Sequence, residues 1–325
     1  MRDVKRASWG EWKMIRIAPL PGVFRPQTSH VYPPFKKGRY LEEYAWEWFS
    51  SSAKGGQGGQ GEQGKQEEQE QEPWVYLPVF WTNLQNHPGF SSSKGKYQFL
   101  LNQCVRAYPA GTRFFTCVQH DDGAGLVLPS GTRVYGACTG DVPLPLIYED
   151  TTERLLHYPR RRFQERDLLL SFVGTVGTHP VREVLRRALE GRDGVVFSSR
   201  DIWSPTVGSE HAEQFLEVTS RSRFCLAPRG YGRSSFRFFE AMLLDVVPVY
   251  VWDDIEWLPY KEENGLPFPY SSFCISVHVS EVGGLYERLA GIGEEEYEGM
   301  REKIREVRAW FGVEGMCRWI RGDLF

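Results

Sequence analysis

Apolar positions along the 325-residue chain follow two rhythms, and from Leu168 onward they alternate regularly. Short, nearly continuous apolar runs predict strands at LLLSFVG (Leu168–Gly174), GVVFSS (Gly194–Ser199), RFCLAP (Arg223–Pro228) and VVPVYVW (Val246–Trp252). Between them VREVLRRALEG (Val181–Gly191), HAEQFLEVTSRS (His211–Ser222) and FRFFEAMLL (Phe236–Leu244) carry apolar residues at helical spacing. Strand–helix–strand repeats with strands apolar throughout predict a parallel sheet covered on both faces. Residues 167–325 therefore read as a Rossmann-like α/β domain with terminal helices.

Residues 1–166 are patterned less evenly and read as a more irregular α/β partner. YLEEYAWEWF (Tyr40–Phe49) has helical spacing, WVYLPVFWT (Trp74–Thr82) reads as a buried strand, and KYQFLLNQCVRAYP (Lys96–Pro109) as a helix. TRFFTCVQ (Thr112–Gln119) predicts a strand running into the loop HDDGAG, and RVYGACTGDVPLPLIY (Arg133–Tyr148) a strand with a proline-rich exit. The basic run RRRFQER (Arg160–Arg166) reads either as a linker or as a solvated charge cluster. Ser50–Pro73 is built of Gly, Gln and Glu with almost no apolar side chains, so it cannot bury enough surface to offset chain entropy and reads as a disordered insertion.

Composition narrows the picture. With 41% hydrophobic and 25% charged residues the chain is an ordinary globular one, and its length favours two domains. Thirty-nine Lys and Arg stand against 42 Asp and Glu, a net charge of -3, so no long-range field points to nucleic acid or an anionic membrane. No apolar run reaches the ~18–20 residues of a membrane span, and Met1–Arg16 is charged, without the apolar core of a signal peptide. The six cysteines form no CxxC or Cys/His cluster, so no zinc site is expected, and most should be buried thiols.

In doubly wound sheets ligands bind outside the carboxyl ends of the strands. Two loops there are rich in Gly, Arg and Ser. The first, Gly174 to His179, precedes a helix with Arg182 in its first turn; it is neither GxGxxG nor a lysine-bearing phosphate loop. The second runs from Arg229 through Gly230, Arg233, Ser234 and Ser235 to Arg237 and Glu240. Ser234 or Ser235 is a natural helix cap, and Arg237 falls in the opening turn, where a cation is unfavourable unless an anion is at hand. Three arginines within nine residues form a candidate diphosphate clamp, and Glu240 can accept from ribose hydroxyls. A functionless Arg237–Glu240 surface pair is the alternative.

The segment FCLAPRGYGRSSFRFFEAMLLDVVPVYVWDDIEWLPY (Phe224–Tyr260) resembles the donor-binding signature of the exostosin-like glycosyltransferases, glycosyltransferase family 47. The likeness continues through Phe273–Phe311, similar to the family's strand and terminal helices, and upstream through LLLSFVGTVGTHPVREVL. DVPLP (Asp141–Pro145) and FFTCVQHDDG (Phe114–Gly123) are similar to two weaker motifs.

The resemblance implies a GT-B fold, two Rossmann-like domains facing each other across a cleft, with residues 1–166 on the acceptor side and 167–325 holding the nucleotide sugar. It implies an inverting transfer of a hexosyl or pentosyl group from a nucleotide donor, UDP-linked in most members, to a glycan or glycoconjugate, as in protein glycosylation. Gly174, Arg182, Arg229, Gly230, Ser234, Ser235, Arg237 and Glu240 would hold the donor, with no tightly bound cofactor and no metal, since no DxD stands between apolar strands. Inversion needs a base, and the family's HDxG-type loop is matched at His120-Asp121-Asp122-Gly123: Asp121 or Asp122 is the candidate, His120 the runner-up. The same residues also make an ordinary turn.

Asp245-Val246-Val247 departs from the Gly-Cys-Ile-type approach to the Pro-Val strand, which alters a helix exit and leaves the clamp. Asp253-Asp254 reads as a loop cap or acceptor-side contact. Family members are commonly held in the Golgi by an N-terminal membrane helix, so the Golgi is the expected location although this chain shows no signal or anchor. Homo-oligomers or hetero-oligomers with a related transferase are the expected assemblies. Two further readings stand beside the transferase: a non-catalytic glycan-binding or scaffold relative, and a nicotinamide-dependent oxidoreductase, whose dinucleotide fingerprint the Gly174 loop lacks.

Overall fold

A computed structural model describes residues 15–27, 39–54, 73–147, 153–200, 208–261 and 268–325. Its first unit is built from β1 (Arg16–Ile17), α1 (Leu41–Lys54), β2 (Val75–Tyr76), α2 (Trp81–Gln85), α3 (Phe90–Val105), β3 (Phe114–Val118), β4 (Arg133–Gly136) and β5 (Val142–Pro143). The second comprises β6 (Leu168–Thr175), α4 (Pro180–Leu189), β7 (Val195–Arg200), α5 (Ser209–Arg221), β8 (Ser222–Pro228), α6 (Phe236–Leu243), β9 (Val247–Trp252) and β10 (Ile275–His278). Then follow α7 (Leu285–Ala290), α8 (Glu294–Val307) and α9 (Val313–Leu324).

Both sheets are parallel throughout, one ordered β1-β2-β3-β4-β5 and the other β10-β9-β8-β6-β7. This is the two-unit α/β arrangement expected of GT-B. The strands of the second sheet are the apolar runs named above, and β8 and β9 are buried almost from end to end. Helical spacing on α4 and α6 turns Leu185, Leu189, Phe238 and Met242 into the same core, which continues without a break into Tyr76, Phe115 and Tyr135 of the first sheet.

Several details depart from the sequence reading. Trp74–Thr82 is a strand only at Val75–Tyr76; Pro78 offers no N–H to a ladder, and Trp81 already opens α2. The helix α1 runs on to Lys54, so the Gly/Gln/Glu insertion starts later than Ser50, and residues 55–72 lie outside the described residues. Arg166, at the end of the basic run, is no part of a solvated cluster: it is buried and donates to the carbonyls of Ser220 (3.0 Å), Ser222 (2.7 Å) and Asp245 (3.1 Å). The terminal helix α9 crosses to the first unit, where Asp323 accepts from Arg133 and from Tyr135, and Leu324 O accepts from Trp74 Nε1 at 2.7 Å. Among the described residues no helix is long and apolar enough to cross a membrane, and all six cysteines are free, five of them buried.

The departure at Asp245 has a structural reason. The residue ends the α6 turn with φ 60°, a conformation in which Gly is favoured. Its buried carboxylate pairs with Arg301 (2.6 Å) and Arg305 (2.8 Å) on α8, an anchor that Gly could not make. Burial alone would raise this carboxyl, but the arginines outweigh it and hold it below the ordinary carboxylate range.

Glu42 forms the matching joint in the first unit. Its Oε1 accepts from Gln119 N (2.9 Å), Thr82 N (3.1 Å) and Thr82 Oγ1 (2.8 Å), while Gln119 Oε1 accepts from Leu41 N at 2.9 Å. One fully buried carboxyl thus joins α1, α2 and the end of β3, directly before His120. Burial pushes it up to about 7 against these hydrogen bonds.

Asn tolerates φ near 60°, so Asp245→Asn removes the charge while keeping the backbone; urea unfolding should show a loss of about 3 kcal/mol, the cost of an unpaired buried Arg301. The lowered carboxyl makes this stabilisation fully present above the ordinary Asp pKa of about 4 and lost as pH falls from there through the lower folded value, a dependence the variant lacks. For Glu42 the sign is opposite: the folded chain keeps a proton that the unfolded chain gives up from about 4.5. Stability should fall as pH rises from there through 7, and Glu42→Gln should flatten that limb in urea midpoints taken at successive pH values.

Candidate functional site

The order of the second sheet decides where a site can form. From β6 the chain crosses by α4 to β7, then returns by α5 to β8 on the other side of β6. Between β6 and β8 the winding reverses, and their carboxyl ends open a crevice flanked by the Gly174–His179 and Arg229–Ser235 loops. Both loops singled out in the sequence therefore meet at the switch point.

Arg182 ties them together. From the first turn of α4 it donates to Thr175 O (2.7 Å), Arg229 O (2.9 Å) and Pro228 O (3.2 Å), over the face of Phe172. These contacts make it a positioning residue for both loops. Gly230 suits this packing, since a Cβ there would stand 3.0 Å from Arg182 Nη2 and press on it. A Cβ at Gly174 would come within 2.9 Å of the Phe172 ring.

Ser234 and Ser235 are buried where α6 begins, with Ser235 at the cap position in extended backbone. Within the opening turn, Arg237 pairs with Glu240, donates to Val173 O at 2.8 Å and lies over Phe215. Glu240 is 1% exposed and Arg237 partly buried, so this is a half-buried pair and not a surface bridge. Losing Arg237 would leave the Glu240 carboxylate buried without this pair.

Arg229 and Arg233 meet carboxylates that the sequence reading placed elsewhere. Arg229 Nη1 contacts Asp253 (2.7 Å) and Asp254 (2.8 Å), and Arg233 contacts Asp254 at 2.8 Å while lying over Trp257. His179, the cap of α4, stands 3.7 Å from Asp253, and burial together with the nearby Arg229 lowers its pKa. The pairing of β9 with β8 is what brings the acidic pair there, since residues just beyond β9 emerge next to the Arg229 loop.

The loop His120–Gly123 leaves β3 on the first unit. Asp122 N donates to His120 Nδ1 at 3.2 Å, and Gly123 closes the turn with φ 78°. Asp121 reaches the arginine loop of the second unit: a Cβ on Gly232 would stand 2.3 Å from Asp121 Oδ1 and 2.3 Å from Cys138 Sγ. Gly232 is what lets the two loops touch. Asp121 is open to solvent on one side with protein packed around the rest, and this partial burial raises its carboxyl, opposed by a hydrogen bond with Cys138 and by the charge of Arg229. Of the three candidate bases, Asp121 is the one shown against the donor loop; the contacts of Asp122 and His120 described here stay within their own turn.

Two participants escaped the sequence reading. Cys138, buried next to Asp121, has no motif to mark it. Glu42 did leave a trace: in YLEEYAWEWF it shares the helix face of Ala45 and Phe49, a carboxyl in an apolar stripe.

Residues 85–291, more than half of the chain, match the Exostosin GT47 domain model. The chain is 33% identical over 97 residues to the probable glycosyltransferase At5g25310 of Arabidopsis thaliana, covering 30% of this chain and 19% of the relative. It is 28% identical over 167 residues to the probable glycosyltransferase At5g03795 of the same plant, covering 49% and 28%. The matched part thus spans less than a third of these curated relatives. Among solved structures the chain is similar to the crystal structure of TarM, with a TM-score of 0.37 and 9% identity over 78% of this chain and 54% of that one. The family match across both sheets makes the chain a member of the exostosin-like GT47 glycosyltransferases.

Proposed function

We propose that the chain is an inverting glycosyltransferase that takes a sugar from a UDP donor bound at the β6–β8 crevice and passes it to a hydroxyl of a glycan held by the first unit. The observation that carries this reading is the contact of Asp121 with Gly232, a raised carboxyl of one unit lying against the arginine loop of the other. Inversion needs this pairing: a base near the acceptor on one face of the anomeric carbon and cations near the diphosphate on the other.

In the proposed reaction Asp121 takes the acceptor proton as its oxygen attacks the anomeric carbon, and the bond to the diphosphate breaks. Charge developing on the leaving phosphate is met by Arg229, Arg233 and Arg237 and by the N–H groups around Ser234 and Ser235, at the positive end of α6. Arg182 holds the two loops in register. Fixed cations supply the charge balance without a metal in this reading, and Glu240 acts on the donor only through Arg237, which it holds in place. Golgi residence and a glycan acceptor are part of this proposal, and membership of the family is what supports them. A non-catalytic relative remains the second reading, and the neutralisation of Arg229 and Arg233 by Asp253 and Asp254 is the observation in its favour.

A screen of UDP-sugars for UDP release, run with and without EDTA, tests the proposal. Arg237→Ala should weaken donor binding by roughly tenfold or more, as loss of a charged hydrogen bond does. Asp121→Asn should leave UDP binding intact and lower transfer by about 10²–10⁴-fold. Because the Asp121 carboxyl is raised, the rate should fall with decreasing pH at a higher pH than an ordinary aspartate would give, and the variant should lose that limb. Parent-like behaviour of both variants, or UDP binding without turnover on any donor, would sink the reading.

A further inference from the structure

We propose that Asp253 and Asp254 are a built-in counter-anion for the donor loop: they occupy the arginines while the site is empty, and the donor's diphosphate displaces Asp254. This rests on the donor site proposed above and adds to it what sets its affinity.

The pairing of β8 with β9 places Pro228 opposite Val251, so the two aspartates emerge level with Arg229 and Arg233. Two guanidinium groups face two carboxylates, and their charges cancel. A diphosphate reaching this loop therefore meets occupied donors. Carboxylate and phosphate oxygens use the same guanidinium N–H groups in the same planar geometry, so one anion can replace the other without rebuilding the loop.

The two carboxylates are not equivalent. Asp253 is the more enclosed, with Arg229 on one oxygen, His179 near the other, and its backbone carbonyl 2.9 Å from His278 Nε2. Asp254 is the more exposed and is held by the two arginines and by Ile255 N at 2.7 Å, so it is the one able to swing into solvent. The arginines stay where they are when it leaves. Arg233 lies on Trp257, whose Nε1 is fastened to Gly136 O at 3.2 Å, and Arg229 N is bonded to Val251 O at 3.1 Å. Arg229 Nε finds no acceptor among the described residues, so this guanidinium is not saturated by the aspartates. The same exchange run backwards helps the product away, because the carboxylates reclaim the arginines as UDP departs.

The test is calorimetric titration of the full chain, parent and Asp254→Asn, with UDP, inorganic pyrophosphate and uridine. Asn keeps the oxygen that receives Ile255 N and drops the charge. UDP and pyrophosphate should each bind the variant roughly five- to thirtyfold tighter, equivalent to about 1–2 kcal/mol, with uridine the same on both. Asp253→Asn provides a second variant expected to shift in the same direction, and thermal melts without ligand report that each is folded. If the parent binds UDP and neither variant binds it more tightly, the aspartates position the arginines and this inference is wrong while the donor site stands. If neither parent nor variants bind UDP or pyrophosphate, the donor site falls and the inference with it.

Discussion

The site depends on one guanidinium. Arg182 gathers the carbonyls of Thr175, Pro228 and Arg229, which lie at the ends of two adjacent strands, and so draws both loops onto one planar group. Strand ends at a switch point diverge, because the helices that follow leave on opposite faces. A planar cation with a fork of donors closes that gap; a lysine, with a single point of attachment, could not reach the three carbonyls in the same way. The glycines around it follow from the closeness of this packing, Gly230 above all.

Around that fastening the charges are balanced group by group. Arg237 is matched by buried Glu240, and Arg229 and Arg233 by the aspartates beyond β9. The balance matters because an uncompensated cation half out of water would be costly, and four arginines cannot stand side by side unopposed. The overall charge of -3 conceals this local order.

The two units are joined by more than the crevice. Trp257 and Tyr260 of the segment after β9 reach Gly136 O (3.2 Å) and Pro143 O (2.6 Å), and α9 returns to Arg133, Tyr135 and Trp74. The first two ties lie at the carboxyl ends of β4 and β5, while α9 meets Arg133 and Trp74 at the amino ends of β4 and β2. Their basis is a single apolar core that passes from one sheet to the other, so the halves cannot be treated as independent.

Local patterning determined most of the second unit: continuous apolar runs left β6 to β9 no solution but a covered parallel sheet, and the Gly, Arg and Ser loops had to lie at its carboxyl edge. The family was legible for the same reason, since its motif is one uninterrupted stretch from Phe224 to Tyr260. Pattern failed where partners are far apart along the chain. The first unit has short strands whose pairing fixes them more than their own residues do, so Trp74–Thr82 was read too long. Asp253 and Asp254 carry no sign of Arg229 until strand order brings β9 beside β8, and Glu42 gives no hint of Gln119 until α1 lies over β3. Periodicity and loop composition sufficed for the sheet, its loops and the side chains they offer; which charge faces which was settled by packing, because Coulomb and hydrogen-bond energies depend on distances in space.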